Sequence, residues 1–232
     1  MNDIELFEKQ VGIVFKDKNL LKQAFTHRSY LNENPDSDLY HNERLEFLGD
    51  AVLELIVTEH LYKNYPDKPE GELTTWRAAL VNARMLAIVA KDLKLGEYLL
   101  LSHGEARETG KARDYILANA TEALLGALYL DQGLKACKII IEQYVLSKLP
   151  QVLEEKLFED AKSQFQELAQ EKIGITPSYQ VLKEWGPDHE KNFEVGVALE
   201  KKLIAKGVGT SKQEAEQEAA KAALKKQENI WD

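Results

Sequence analysis

Residues 41–53 read HNERLEFLGDAVL, and the placement of their charges decides how the larger part of the chain is read. At about 100° per residue, Glu43, Glu46, Asp50 and Glu54 fall within roughly 80° of one another around a helix. Leu45, Leu48, Val52, Leu55 and Ile56 form the opposite, apolar face, and Phe47 and Leu53 flank the acids. A solvated stripe ordinarily mixes bases with acids, because like charges at i,i+4 repel. This stripe holds no base. Carboxylates hemmed in by apolar residues need a counter-charge, and a hard divalent cation supplies one. The spacing alone equally allows an exposed acidic face beside a core.

Outward from this stretch, apolar residues recur at helical spacing over 4–11 and 19–25, with Asn19 as an N-cap. The acid-bearing helix is expected over 42–63. A long helix over 72–93 would bury Leu73, Trp76, Leu80, Val81, Met85, Ile88 and Val89. Further helices are expected over 115–130 and 134–149, the last ended by Pro150. Residues 151–160 read as a charged connector. Beyond it come an amphipathic helix over 161–172, a strand over 179–184 and a turn from Gly186 to His189. Phe193, Val195, Val197 and Leu199 alternate with polar or small residues, the period of a half-buried strand. A third strand over 202–208 and an Ala-rich helix over 211–226 complete an α-β-β-β-α order. The expected domains are 1–155 and 160–229.

Composition narrows the function classes. Of 232 residues, 44% are hydrophobic and 30% charged, as in ordinary globular proteins. No apolar run approaches the roughly 20 residues that span a membrane, and the opening MNDIELFEKQ lacks the basic start of a signal peptide. The single cysteine, Cys137, excludes an internal disulfide and a thiolate zinc site, which fits a cytoplasmic location. The formal charge is -9, with 18 bases against 25 acids in residues 1–155 and 12 against 14 in the remainder. Any polyanion binding must therefore rest on local patches.

Acids on one helix approach a cation from one side only, so a complete site needs a second element. The stretch ILANATEALLGALYL (116–130) offers Asn119 and Glu122 on one face. Ala118, Ala120, Ala123, Gly126 and Ala127 would let it pack closely on a neighbour. The same stretch also reads as a packing helix with one exposed glutamate.

Residues 41–53 resemble the signature of the ribonuclease III family, and the tail resembles a double-stranded-RNA-binding domain. LLKQAFTHRSY (20–30), Glu70-Gly71-Glu72-Leu73 with Arg77, Leu80 and Val81, and residues 119–130 extend the likeness over essentially the whole chain. The resemblance implies an all-α catalytic domain followed by a small α+β domain, and a homodimer whose valley holds an RNA duplex. It implies an Mg²⁺ cluster of Glu46, Asp50, Asn119 and Glu122, with Asp50 and Glu122 nearest the chemistry and Glu43 an accessory acid at the dimer face. Phe47 would enter a socket on the partner subunit, or else serve as a core aromatic of its own subunit. Mg²⁺ among carboxylates can activate water and stabilise the attacking and leaving oxygens of an in-line displacement. The implied products carry 5′-phosphate and 3′-hydroxyl ends with short 3′ overhangs. The implied substrates are ribosomal RNA precursors and some messenger and transfer RNA precursors.

The family has an aspartate where this chain has Asn119. An amide keeps an oxygen ligand but removes a negative charge, so cleavage should be impaired while RNA binding persists. Such a residue suits an introduced change that traps an uncut complex, and natural divergence also produces it; retention of Glu46, Asp50 and Glu122 favours the former. In the tail, the resemblance implies that Gln166, with Gln164 and Lys162, meets one minor groove and His189 the next. Ser211 and Lys212, at the start of the last helix, would face phosphates. Relatives often have a second lysine where this chain has Gln213, which should weaken binding. Two other functions compete with this reading: a non-catalytic duplex-RNA-binding or ribosome-assembly protein, which Asn119 favours, and an all-helical nucleotide hydrolase, which would have no use for the tail.

Overall fold

The computed structural model describes residues 4–154, 161–187, 191–226 and 230, and the chain divides into two compact units, Met1–Phe158 and Glu159–Asp232. The described elements of the first unit are helical: α1 (Ile4–Val11), α2 (Lys18–Ala24), α3 (Arg28–Glu33), α4 (Glu43–Asn64), α5 (Glu70–Val81), α6 (Ala83–Asp92), α7 (Gly110–Gln132), α8 (Leu134–Tyr144) and α9 (Leu149–Glu154), with short 3-10 turns between some of them. Helix α7 is the axis of this unit. From Ile116 to Leu128 nearly every side chain is buried, the condition of a helix apolar all round. Gly133 follows it at φ 77°, a left-handed stop that glycine adopts freely. Phe7, Phe25 and Tyr98 seal the N-terminal end of the core, with ring centroids 5.0 to 5.8 Å apart.

Several sequence expectations are corrected here. The cap of α2 is Asp17, whose carboxylate accepts from the Asn19 N–H at 2.9 Å; Asn19 lies inside the helix. The helix expected over 72–93 breaks at Asn82, which takes an extended conformation and accepts from the Met85 N–H, so it caps α6. Helix α7 starts five residues earlier than expected, at Gly110. Pro150 does not end a helix: it sits in the first turn of α9, where a missing N–H costs nothing. Residues 151–154 of the expected connector belong to α9, and 155–160 lie outside the described residues.

The second unit has the α-β-β-β-α order: α10 (Ala161–Ile173), β1 (Ser178–Trp185), β2 (Asn192–Leu199), β3 (Lys202–Gly209) and α11 (Lys212–Leu224). The sheet is antiparallel in the order β1-β2-β3, with Val181 opposite Val195 and Val195 opposite Gly207. Val195, Val197, Leu199 and Ala205 turn inward, and Phe165 from α10 meets the alanine face of α11. Ser211 caps α11 by accepting from the Glu214 N–H, while the Glu214 carboxylate accepts from the Thr210 N–H.

Candidate active site and nucleic-acid interface

Helix α4 carries three faces. Leu45, Gly49, Val52, Leu53, Ile56, Val57 and Leu61 are buried. Glu46 is half-buried, while Glu43, Asp50 and Glu54 are exposed beside it. Along the remaining side, Phe47, Leu55 and Tyr62 are 82%, 56% and 74% exposed. Leu55 therefore does not belong to the buried face expected of it, and the core reading of Phe47 is excluded. The start of the helix is fixed by buried Asn42, whose N–H donates to the Thr26 carbonyl and whose Nδ2 donates to the Ala24 carbonyl.

Helix α7 crosses α4 at a glycine pair. A Cβ built on Gly49 would lie 2.6 Å from the Glu122 carbonyl carbon, nearer still to its oxygen, and 2.8 Å from the Gly126 nitrogen. One on Gly126 would lie 2.9 Å from the Leu45 carbonyl carbon. The two backbones thus touch directly, one turn from Glu46 and at Glu122 itself. Thr121, fully buried, has its hydroxyl within hydrogen-bond reach of two carbonyls, Leu117 one turn back at 3.1 Å and Leu86 of α6 at 3.2 Å.

The electrostatics follow from this crossing. Burial pushes the Glu122 carboxyl up from 4.5 to about 7, with the charges of Asp50 and then Glu46 adding to it. Glu46 is raised by burial, then by Glu43 and Asp50. Among the described residues no lysine, arginine or histidine pairs with Glu46, Asp50 or Glu122. Glu43 differs: Arg28 and His41 each approach it at 3.6 Å. Asn119 stands one turn before Glu122 on the same face of α7, half-buried. Glu46 thus feels Glu43 and Asp50, and Glu122 feels Asp50 and Glu46, while Glu43 alone of the four has Arg28 beside it. Among the described residues, no three His, Cys, Asp or Glu side chains are gathered tightly enough to hold a metal ion unaided. The sequence reading missed Gly49 and the Arg28–Glu43 pair; the glycine was visible within the quoted motif, the arginine only as one of many surface bases.

In the second unit, Gln166 is exposed on α10 and Lys212 on α11. Lys162 is committed elsewhere, donating to Glu216 at 2.6 Å and lying over the Tyr179 ring. The Ser211 hydroxyl is occupied as the helix cap. His189 lies outside the described residues.

A family model described as Ribonuclease-III-like matches residues 17–149, and one described as Double-stranded RNA binding motif matches residues 161–227. The chain is 47% identical to Ribonuclease 3 of Pelotomaculum thermopropionicum over 96% of its length and 92% of that protein's. It is 43% identical to Ribonuclease 3 of Campylobacter jejuni, over 97% and 98%. The crystal structure of the nuclease domain of the C. jejuni ribonuclease III aligns with a TM-score of 0.57 at 42% identity, covering 65% of this chain and 98% of that one. A further structure of that domain concerns structural flexibility in a region involved in dimer formation. Fold, site and likenesses together define a ribonuclease whose helical nuclease unit precedes a double-stranded RNA binding motif. The chain belongs to the ribonuclease III family. Among the described residues, no helix is long and apolar enough to cross a membrane.

Proposed function

We propose that this chain is a cytoplasmic, homodimeric, Mg²⁺-dependent endoribonuclease that cuts double-stranded RNA to 5′-phosphate and 3′-hydroxyl ends with short 3′ overhangs. Its substrates would be ribosomal RNA precursors and some messenger and transfer RNA precursors. The observation that carries this reading is the coupling of Glu46 and Asp50 on α4 to Glu122 on α7 with no base among them. Carboxylates that raise the proton affinity of Glu46 and of Glu122 are a donor set for a hard cation. Mg²⁺ keeps several of its waters, so its protein ligands need not touch one another. Glu46, Asp50 and Glu122 would hold it, with the Asn119 amide oxygen as a neutral ligand; when bound, it supplies positive charge for the in-line displacement.

The chain's own residues do the rest. Glu122 is half-buried at the α4–α7 crossing, where its backbone meets that of Gly49. Glu43, with Arg28 3.6 Å away, would act as an accessory acid at the dimer face. The exposed stripe of Phe47, Leu55 and Tyr62 is more apolar surface than a lone helix face needs, and suits a second copy with Phe47 in its socket. In the tail, Gln166 and His189 would reach successive minor grooves, and Ser211 and Lys212 the phosphates.

The test uses a long RNA duplex with Mg²⁺ or with a chelator. Cleavage only with the metal, duplex binding under both conditions, and loss of cleavage but not binding in Glu122→Gln support the reading. Duplex binding with no cleavage even in Asn119→Asp would replace it with a non-catalytic RNA-binding function.

A further inference from the structure

The β1–β2 turn and the first turn of α11 are separate in sequence, yet one side chain ties them together. Glu184, near the end of β1, places one carboxylate oxygen 3.1 Å from the Lys191 ammonium and the other 3.5 Å from that of Lys212. The Lys212 ammonium also lies over the Phe193 ring, 5.6 Å from its centroid. Lys191 and Lys212 remain 40% and 60% exposed, so both are held and both can still meet a ligand. The contrasting case is in the same unit: Lys162, bound at 2.6 Å to Glu216 and 33% exposed, is enclosed by its acid and its ring.

We propose that Glu184 is a positioning residue that holds Lys191 and Lys212 as a single two-pronged seat for a phosphate of duplex RNA. The inference rests on the reading of this unit as a duplex-RNA binder and adds Lys191 and Glu184 to its machinery. Two ammonium groups against one carboxylate leave the cluster net positive, so it still attracts a polyanion. A free lysine must give up the rotamer freedom of its four-carbon stem to seat a phosphate. Here Glu184 and Phe193 have already restricted it. The hydrogen bond from Lys191 holds the Glu184 carboxyl below its ordinary value, against a smaller opposing effect of burial, so the carboxylate is ionised at neutral pH. The cluster also answers the missing second lysine at Gln213: Lys191 supplies the second charge from across the turn.

The experiment measures binding of the full chain to an RNA duplex longer than the roughly 16 base pairs one such domain spans. Anisotropy is read in chelator, so nothing is cut, over a series of KCl concentrations. Glu184→Gln is expected to weaken binding about two- to five-fold, the range of an exposed ion pair, and Glu184→Asp to recover part of the loss. In a Lys191→Gln/Lys212→Gln background, Glu184→Gln should change nothing further, and that background should lower the salt slope by about 0.9 for each phosphate it no longer neutralises. Binding by Glu184→Gln as tight as that of the unaltered chain, or tighter, overturns the proposal and makes Glu184 merely an opposing charge. An equal loss in the double-lysine background overturns it as well. If the unaltered chain binds no duplex, the RNA reading fails and takes this inference with it.

Discussion

Adding one methyl group at Gly49 tests the architecture on which the proposed chemistry depends. The Cβ of Gly49→Ala would stand 2.6 Å from the Glu122 carbonyl carbon, whereas ordinary contact begins at 3.4 Å, so the helices must part by at least the difference, 0.8 Å. Overpacking of this kind costs about 1–3 kcal/mol, and backbone against backbone belongs at the upper end because no side chain can rotate away. Alanine returns about 1 kcal/mol of helix propensity. A net loss of about 2 kcal/mol remains, or about 4–8 °C in melting temperature for a unit of this size. Moving Glu122 by about 1 Å from Glu46 and Asp50 should also cut turnover by about 100-fold. Urea unfolding and single-turnover cleavage of a duplex measure the two effects separately. Gly71→Ala, where an added Cβ meets nothing within 4 Å, is the control and should be neutral or slightly stabilising. A Gly49→Ala protein within about 0.5 kcal/mol of the unaltered chain, the scatter of surface substitutions, would refute the crossing. Loss of stability with full turnover would refute its link to the site.

Other perturbations reach the site from different sides. Glu122 ionises near 4.5 in an unfolded chain and near 7 in the folded one, so the unfolded state sheds its proton first and stability should fall as pH rises between those values. Glu122→Gln should flatten that slope in denaturant titrations from pH 5 to 8, and an unchanged slope sinks the assignment. Asn119→Asp, which adds a charge beside Glu122, should raise turnover at limiting Mg²⁺; equal turnover at every metal concentration would show that the amide is no handicap. Phe47→Ala should leave monomer stability within the surface range, since the ring is 82% exposed, while sedimentation should show the proposed homodimer dissociating. A dimer of undiminished affinity would place the interface elsewhere.

What could be read from the chain was local, and what could not was the distance between two helices. The alternation of Phe193, Val195, Val197 and Leu199 reports a sheet face directly, because each residue's direction depends only on its own strand. The acids of α4 report a shared face for the same reason. Asn82 shows where such reading fails: seven apolar residues continue the helical period across it, yet its side chain can cap the next helix, and tertiary packing of α6 on α7 decides the contest. Arg28 and Glu43, far apart in sequence, could be joined only once α3 and α4 were placed. Gly49 is the most instructive case. Within the motif it is the one residue with no side chain to interpret, and it matters because of what it lacks: the missing Cβ admits the Glu122 backbone. Acids spread over two helices become a cation site only when the helices nearly touch. The charges suggest the proposed chemistry, therefore, but the glycine pair that brings α7 onto α4 is what would make it available.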